Sequence, residues 1–201
     1  MAGCVGDPAA PDRLARPPAT PADGGAYPSG PYGQTVGAVI ADACFTGVRR
    51  PPSVNYVAAG HAETICLHDF YNPGGSDPTK PKTLVILIAA LWCGPCQLEA
   101  AAAAADHAYW APRGVEFLST VYEDGEQSPA GDAALDAWML TYHLDHPTVL
   151  DPTAKLAAYF APGSYPDNIV LDTTTMTFRY VDVGQQDFGP ENPILRHAAG
   201  M

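Results

Sequence analysis

The run Thr83-Leu84-Val85-Ile86-Leu87-Ile88 is continuously aliphatic or β-branched, Trp92-Cys93-Gly94-Pro95-Cys96 follows almost at once, and six consecutive alanines, Ala100 to Ala105, come next. An uninterrupted apolar run of this length reads as a strand buried on both faces, as in a sheet covered by helices on each side. Alanine is the best helix former, so the segment from Cys96 to Trp110 reads as a helix entered directly from that strand. The two cysteines therefore stand at a strand-to-helix junction, with the first thiol at the positive end of the helix.

The rest of the chain continues the alternation. Val115 to Tyr122 reads as a second buried strand, and Asp132 to His143 carries apolar residues at helical spacing. Pro147 to Leu150 suits a short strand end and Thr153 to Phe160 a short helix. Asn168 to Asp172 and Thr177 to Val183 read as two further strands. The expectation is an α/β fold with a central mixed sheet flanked by helices, preceded by an N-terminal strand or hairpin extension within Gly33 to Tyr71. Gly184 to Met201 is weakly patterned, and Pro190 and Pro193 are expected to interrupt any terminal helix.

Residues 1–32 are rich in Pro, Ala, Gly and Asp with few large apolar side chains, and are expected to form a disordered tether ahead of a redox domain over 33–201. Ala2-Gly3-Cys4 resembles the end of a bacterial lipoprotein signal, which makes Cys4 the expected lipidation site, although the charged and apolar segments of such a signal are missing before it. The alternative is an ordinary thiol in a disordered tail.

Ten basic against 22 acidic residues give a net charge of −12, which repels phosphate backbones and anionic headgroups; nucleic acid is not an expected partner. No apolar stretch reaches the 18 or so residues of a spanning helix, so membrane contact is expected only through a lipid anchor. Of five cysteines, setting Cys4 aside leaves Cys44, Cys66, Cys93 and Cys96, an even set compatible with two pairs in an oxidising compartment.

A Cys-x-x-Cys pair at a helix N-terminus supports one particular chemistry. The helix terminus stabilises the Cys93 thiolate, which attacks a substrate disulfide, and Cys96, a turn deeper, resolves the mixed disulfide. Half of a zinc knuckle is the competing reading, but Cys44 and Cys66 do not supply the second half. No metal or other cofactor is expected beyond the dithiol. His61, His68, His107, His143, His146 and His197 are scattered and are expected as surface or capping residues.

On these residues the chain resembles the thioredoxin superfamily, and more closely its periplasmic TlpA and ResA-like branch and the related redoxins, over about Gly33 to Val183. Three further features carry the resemblance: Cys96-Gln97-Leu98-Glu99, with an acid three residues after the second cysteine; Pro147 to Phe160, which looks like the family's Pro-x-x-x-Asp-Pro segment; and Tyr165-Pro166 before a strand. The resemblance implies a thioredoxin-like fold and a thiol-disulfide oxidoreductase. It implies that Pro166 is a cis-proline opposite the dithiol, in preference to Pro162, and that Tyr165 and Pro166, with Trp92, Gly94 and Pro95, shape substrate binding. Glu99 is then a carboxylate that relays protons or tunes the thiols, unless it is an ordinary exposed helix acid.

Two departures from the family pattern stand out. Alanine replaces the proline that usually follows this acid, and Leu87 stands where cytosolic thioredoxins have a buried aspartate. The Cys-x-x-Cys spacing argues against copper-delivery relatives, and Ile88-Ala89-Ala90-Leu91-Trp92 lacks the threonine and proline signature of peroxiredoxins. Cys44 and Cys66 are expected to form a structural disulfide worth about 3 kcal/mol, the alternative being two buried free thiols.

The function expected is exchange on protein cysteine pairs outside the cytoplasm, in the periplasm or cell envelope, acting as a reductant. Exported cysteine-containing proteins are the expected substrates and a membrane-bound thiol donor the expected electron source. The alternatives are a noncatalytic thioredoxin-fold binding lipoprotein and a thiol peroxidase-like redoxin.

Overall fold

A computed structural model describes residues 26–49 and 62–201. Cys4 and His61, and residues 1–25 of the tether expected over 1–32, lie outside these described residues. Among the described residues seven strands form one mixed sheet. In chain order they are β1 (Cys44–Val48), β2 (Glu63–Cys66), β3 (Thr83–Ala90), β4 (Val115–Glu123), β5 (Thr148–Leu150), β6 (Asp167–Asp172) and β7 (Thr177–Val183), and their order across the sheet is β2-β1-β5-β4-β3-β6-β7. The β3–β4 and β4–β5 pairs are parallel, and β1–β2, β1–β5, β3–β6 and β6–β7 are antiparallel. Parallel neighbours need a crossover, supplied by helices α2 (Gly94–Trp110) and α3 (Asp132–Tyr142). The fold is thioredoxin-like, with the expected mixed sheet, flanking helices and N-terminal β1–β2 pair.

Every residue of β3 is buried, as its apolar run requires. Its side chains alternate between two faces. Leu84, Ile86 and Ile88 join Ile169, Leu171 and Phe178 on one side, where Ile40, Leu67 and Leu156 close the layer. Val85 and Leu87 pack on the other side with Ala103 and Trp110 of α2, and Ala89 packs with Ala100 of α2 and Leu135 and Trp138 of α3. The alanine run thus does more than favour helix. Its small side chains bring α2 down onto the sheet across two adjoining parts of the core.

Several boundaries differ from expectation. Tyr27, placed in the tether by composition, is buried; its hydroxyl donates to the Ile40 carbonyl at 3.0 Å and its ring stands edge-on to Tyr71. Packing therefore starts ahead of Gly33. The strand expected near Glu63 ends at Cys66, and helix α1 (Leu67–Phe70) follows, with Leu67 and Phe70 buried. Thr153–Phe160 forms only a 3₁₀ turn at Ala157–Tyr159. Pro193 does not break the terminal helix but begins it. Helix α4 (Pro193–Ala198) has this proline in its first turn, where the missing N–H has no helical partner to lose, and the Asn192 side chain accepts from the Ile194 and Leu195 N–H groups.

Candidate active site

The dithiol lies where β3 hands over to α2. Cys93 is the N-cap of α2, its Sγ accepting from the Cys96 N–H at 3.2 Å, and Gly94 and Pro95 form the exposed first turn. Cys93 and Cys96 are joined in a disulfide, with Cα atoms 5.2 Å apart. No acid occupies that first turn, so the positive helix end faces sulfur without local compensation. Once the bond is opened, the same N–H and the helix terminus stabilise a thiolate on Cys93.

Aromatic side chains border the pair. Trp92 is partly exposed, donates its indole N–H to Glu123 at 2.8 Å and stands edge-on to Tyr165, with ring centroids 6.0 Å apart. Tyr165 also stacks obliquely near Tyr122 and packs against the cluster that contains both cysteines. The Tyr165–Pro166 peptide is cis, and the Pro166 carbonyl accepts from the Gly184 N–H at 2.7 Å. Residues distant in sequence, Trp92 to Cys96 and Tyr165 to Pro166, thus meet at one end of the sheet. Pro162 is not in a cis peptide.

Glu99 is not an exposed helix acid. It is buried at 1% exposure, one helical turn beyond Cys96, and its Oε1 accepts from Asn168 Nδ2 at 3.0 Å and from the Gln186 N–H at 2.9 Å. Burial drives its pKa up to about 7 against the lowering effect of those two donors, and Asp167 adds to the rise. Asp167, directly after Pro166, is likewise pushed up to about 7 by burial, partly offset by the Ser164 hydroxyl. Asp167 Oδ2 and Asn168 Oδ1 are buried without a hydrogen-bond partner. Glu99, Asp167 and Asn168 thus form a buried polar cluster in the apolar core, with Glu99 one helical turn beyond Cys96.

Sequence reasoning missed Asp167, Asn168 and Gln186 as partners of this site. A signal was present for the first two: an acid and an amide open an otherwise apolar strand, Asp167-Asn168-Ile169-Val170-Leu171. Leu87 pairs with Asn168 across β3 and β6. Glu99 on the helix is the acid buried beside Asn168, while Leu87 on the strand is apolar.

Cys44 and Cys66, directly opposite in the β1–β2 register, are joined in a second disulfide. The histidine expectation needs correction. His143 does cap α3 in the left-handed conformation and His197 is exposed in the last turn of α4, but His107 and His146 are buried and converge, with ring centroids 5.3 Å apart. His68 is bound to Asp42 at 2.7 Å. Among the described residues no helix is long and apolar enough to cross a membrane.

Sheet order, parallel core and junctional dithiol define a thioredoxin-fold protein. The chain matches the AhpC/TSA family over residues 58–177, more than half its length, and it belongs to that family. By sequence, no curated protein matches it. Similar solved structures include a DsbF homologue from Corynebacterium diphtheriae (14% identity, 80% of this chain and 86% of that one, TM-score 0.57). A secreted thiol-disulfide isomerase from Corynebacterium glutamicum is also similar (17% identity, 78% and 84%, TM-score 0.56). So is a 2-Cys peroxiredoxin from Plasmodium vivax (15% identity, 82% and 94%, TM-score 0.58). At these identities the likeness is one of fold.

Proposed function

We propose that this protein is a thiol-disulfide oxidoreductase that acts on protein cysteine pairs outside the cytoplasm, as a reductant. The observation that carries the reading is the Cys93–Cys96 pair at the N-terminus of α2, with Glu99 buried one turn beyond it. In the reduced enzyme the Cys93 thiolate attacks one sulfur of a substrate disulfide, forming a mixed disulfide and releasing a substrate thiolate. Cys96 gives up its proton and attacks Cys93 Sγ. The second substrate thiolate leaves, the enzyme disulfide of this structure closes, and two electrons have passed to the substrate. Glu99, one turn below Cys96, accepts the Cys96 proton and passes it on. Trp92 and Tyr165 hold the substrate strand at the exposed Gly94-Pro95 turn. Tyr165 and Pro166 position that strand, the Pro166 carbonyl being anchored by the Gly184 N–H.

A site outside the cytoplasm is supported by the second disulfide, Cys44–Cys66, and by the secreted isomerase among the similar structures. Exported cysteine-containing proteins are the corresponding substrates, with electrons from a membrane-bound thiol donor. Lipidation at Cys4 would hold the domain at the membrane.

The family match and the peroxiredoxin-like fold favour a second reading, reduction of a peroxide at Cys93. The Ile88-to-Trp92 run before the thiol lacks the peroxiredoxin signature, which makes this the weaker enzymatic reading.

A redox titration in glutathione and dithiothreitol buffers, with alkylation of each cysteine followed by mass spectrometry, tests the proposal. A potential near the roughly −270 mV of thioredoxin marks a reductant and one near the roughly −120 mV of strong oxidants a disulfide donor. A pair that never exchanges is a structural staple and ends the catalytic reading in favour of a binding module. Peroxide consumption by the reduced protein, faster than its disulfide exchange, would instead select the peroxidase.

A further inference from the structure

Away from the dithiol, the C-terminal part of α2 carries His107, which meets β4 and the loop entering β5. His107 Nε2 lies 2.8 Å from Glu116 Oε1, and its Nδ1 lies 2.8 Å from Asp145 Oδ1. His146 is fully buried. Its Nε2 lies 2.8 Å from the Ser119 hydroxyl, while its Nδ1 has no hydrogen-bond partner and faces Asp145 Oδ1 at 3.8 Å. A buried imidazole nitrogen without a partner is costly, and this one points at a carboxylate that a second imidazole also reaches. One ligand atom from each of His107, Asp145 and His146 lies within 4.8 Å of the others.

We propose that His107, Asp145 and His146 form a binding site for one divalent transition-metal ion of the zinc type. Two imidazole nitrogens and one carboxylate oxygen are a donor set that suits zinc and its neighbours better than magnesium or calcium, which prefer oxygen alone. Tetrahedral coordination at about 2.0–2.1 Å separates ligand atoms by about 3.3 Å. The present spacings of 2.8 and 3.8 Å to Asp145 Oδ1 bracket that distance.

The outer contacts already match a metal site. Glu116 holds His107 through Nε2 and Ser119 holds His146 through Nε2, so each ring presents Nδ1 inward. Asp145 has a side chain 54% exposed, which gives the ion a route in and leaves its fourth position to water. On binding, the proton shared by His107 Nδ1 and Asp145 leaves to solvent and the nitrogen lone pair takes the ion. The ion ties α2, the helix that carries the dithiol, to the loop before β5.

The test uses the full chain with both disulfides closed and Cys4 alkylated, so that no thiolate competes. Zn²⁺ is titrated by calorimetry, and Co²⁺ is followed by its visible absorption. The expected result is one equivalent bound, a Co²⁺ spectrum of low-coordinate nitrogen and oxygen ligation, and a rise in melting temperature with Zn²⁺. Asp145→Asn, at a half-exposed position, should weaken binding at least tenfold and abolish the thermal shift. Glu116→Gln should weaken it by about 10–100-fold by loosening His107. Binding of equal strength in both variants, or no saturable binding below millimolar Zn²⁺ in the parent protein, overturns the proposal.

Discussion

Asn168 Nδ2 donates to Glu99 Oε1 at 3.0 Å with both residues buried, and the Gln186 N–H donates to the same oxygen. The carboxyl is thereby fixed in place without a cation, and burial outweighs the two donors, holding its pKa at about 7 rather than its ordinary 4.5.

The sign of the pH effect follows. Below about pH 4.5 Glu99 is protonated in both folded and unfolded chains; above it, the unfolded chain ionises first, and stability falls until the folded carboxyl has also ionised near 7. The loss is on the order of 3 kcal/mol between pH 4.5 and 8. Glu99→Gln keeps the acceptor oxygen and removes the titration, so its urea-unfolding free energy should fall less over that window than the parent's. Parallel curves would remove Glu99 as the titrating group.

Cys93→Ser should reduce disulfide exchange to the uncatalysed background, since the attacking sulfur is gone. Cys96→Ser should accumulate a mixed disulfide between Cys93 and a substrate peptide, because the resolving sulfur is missing. Mass spectrometry of the trapped adduct distinguishes the two roles, and an active Cys93→Ser variant would falsify the assignment.

Trp92→Ala removes the edge-on partner of Tyr165. An aromatic pair of this kind contributes about 0.5–1.5 kcal/mol. If it holds substrate, KM for a disulfide peptide should rise about three- to tenfold with kcat little changed in steady-state assays. An unchanged KM would place Trp92 outside the substrate path.

Cys44 and Cys66 join neighbouring strands β1 and β2 across 22 residues of chain. Replacing both by Ser should lower stability by about 2–5 kcal/mol while leaving the Cys93–Cys96 potential unmoved. Chemical denaturation measures the first, the redox titration the second. A shifted potential would mean that the two bridges communicate.

Asp151 is buried, and its carboxylate accepts from the Lys155, Leu156 and Ala157 N–H groups, fixing the turn after β5. Asp151→Ala leaves those donors without their acceptor and should cost about 3 kcal/mol in urea unfolding. A loss under 1 kcal/mol would show that water replaces the carboxylate.

What the sequence alone determined is local. The β3 run, the Cys-Gly-Pro-Cys junction and the alanine-rich helix are each set by neighbouring residues, and their periodicity and helix propensity were enough to place the dithiol at the N-terminus of α2. What the tertiary structure decided is which distant side chains meet there. Glu99 and Asn168 are 69 residues apart, and His107 and Asp145 are 38 apart. Tyr27, in a stretch whose composition suggests disorder, is held in the core by packing, by its ring contact with Tyr71 and by its hydrogen bond to Ile40. Periodicity records which face of an element is apolar, but not which polar residue across the sheet will share its burial. That is set by strand order and register, and through them Glu99 is buried against the Asn168 amide and the Gln186 N–H.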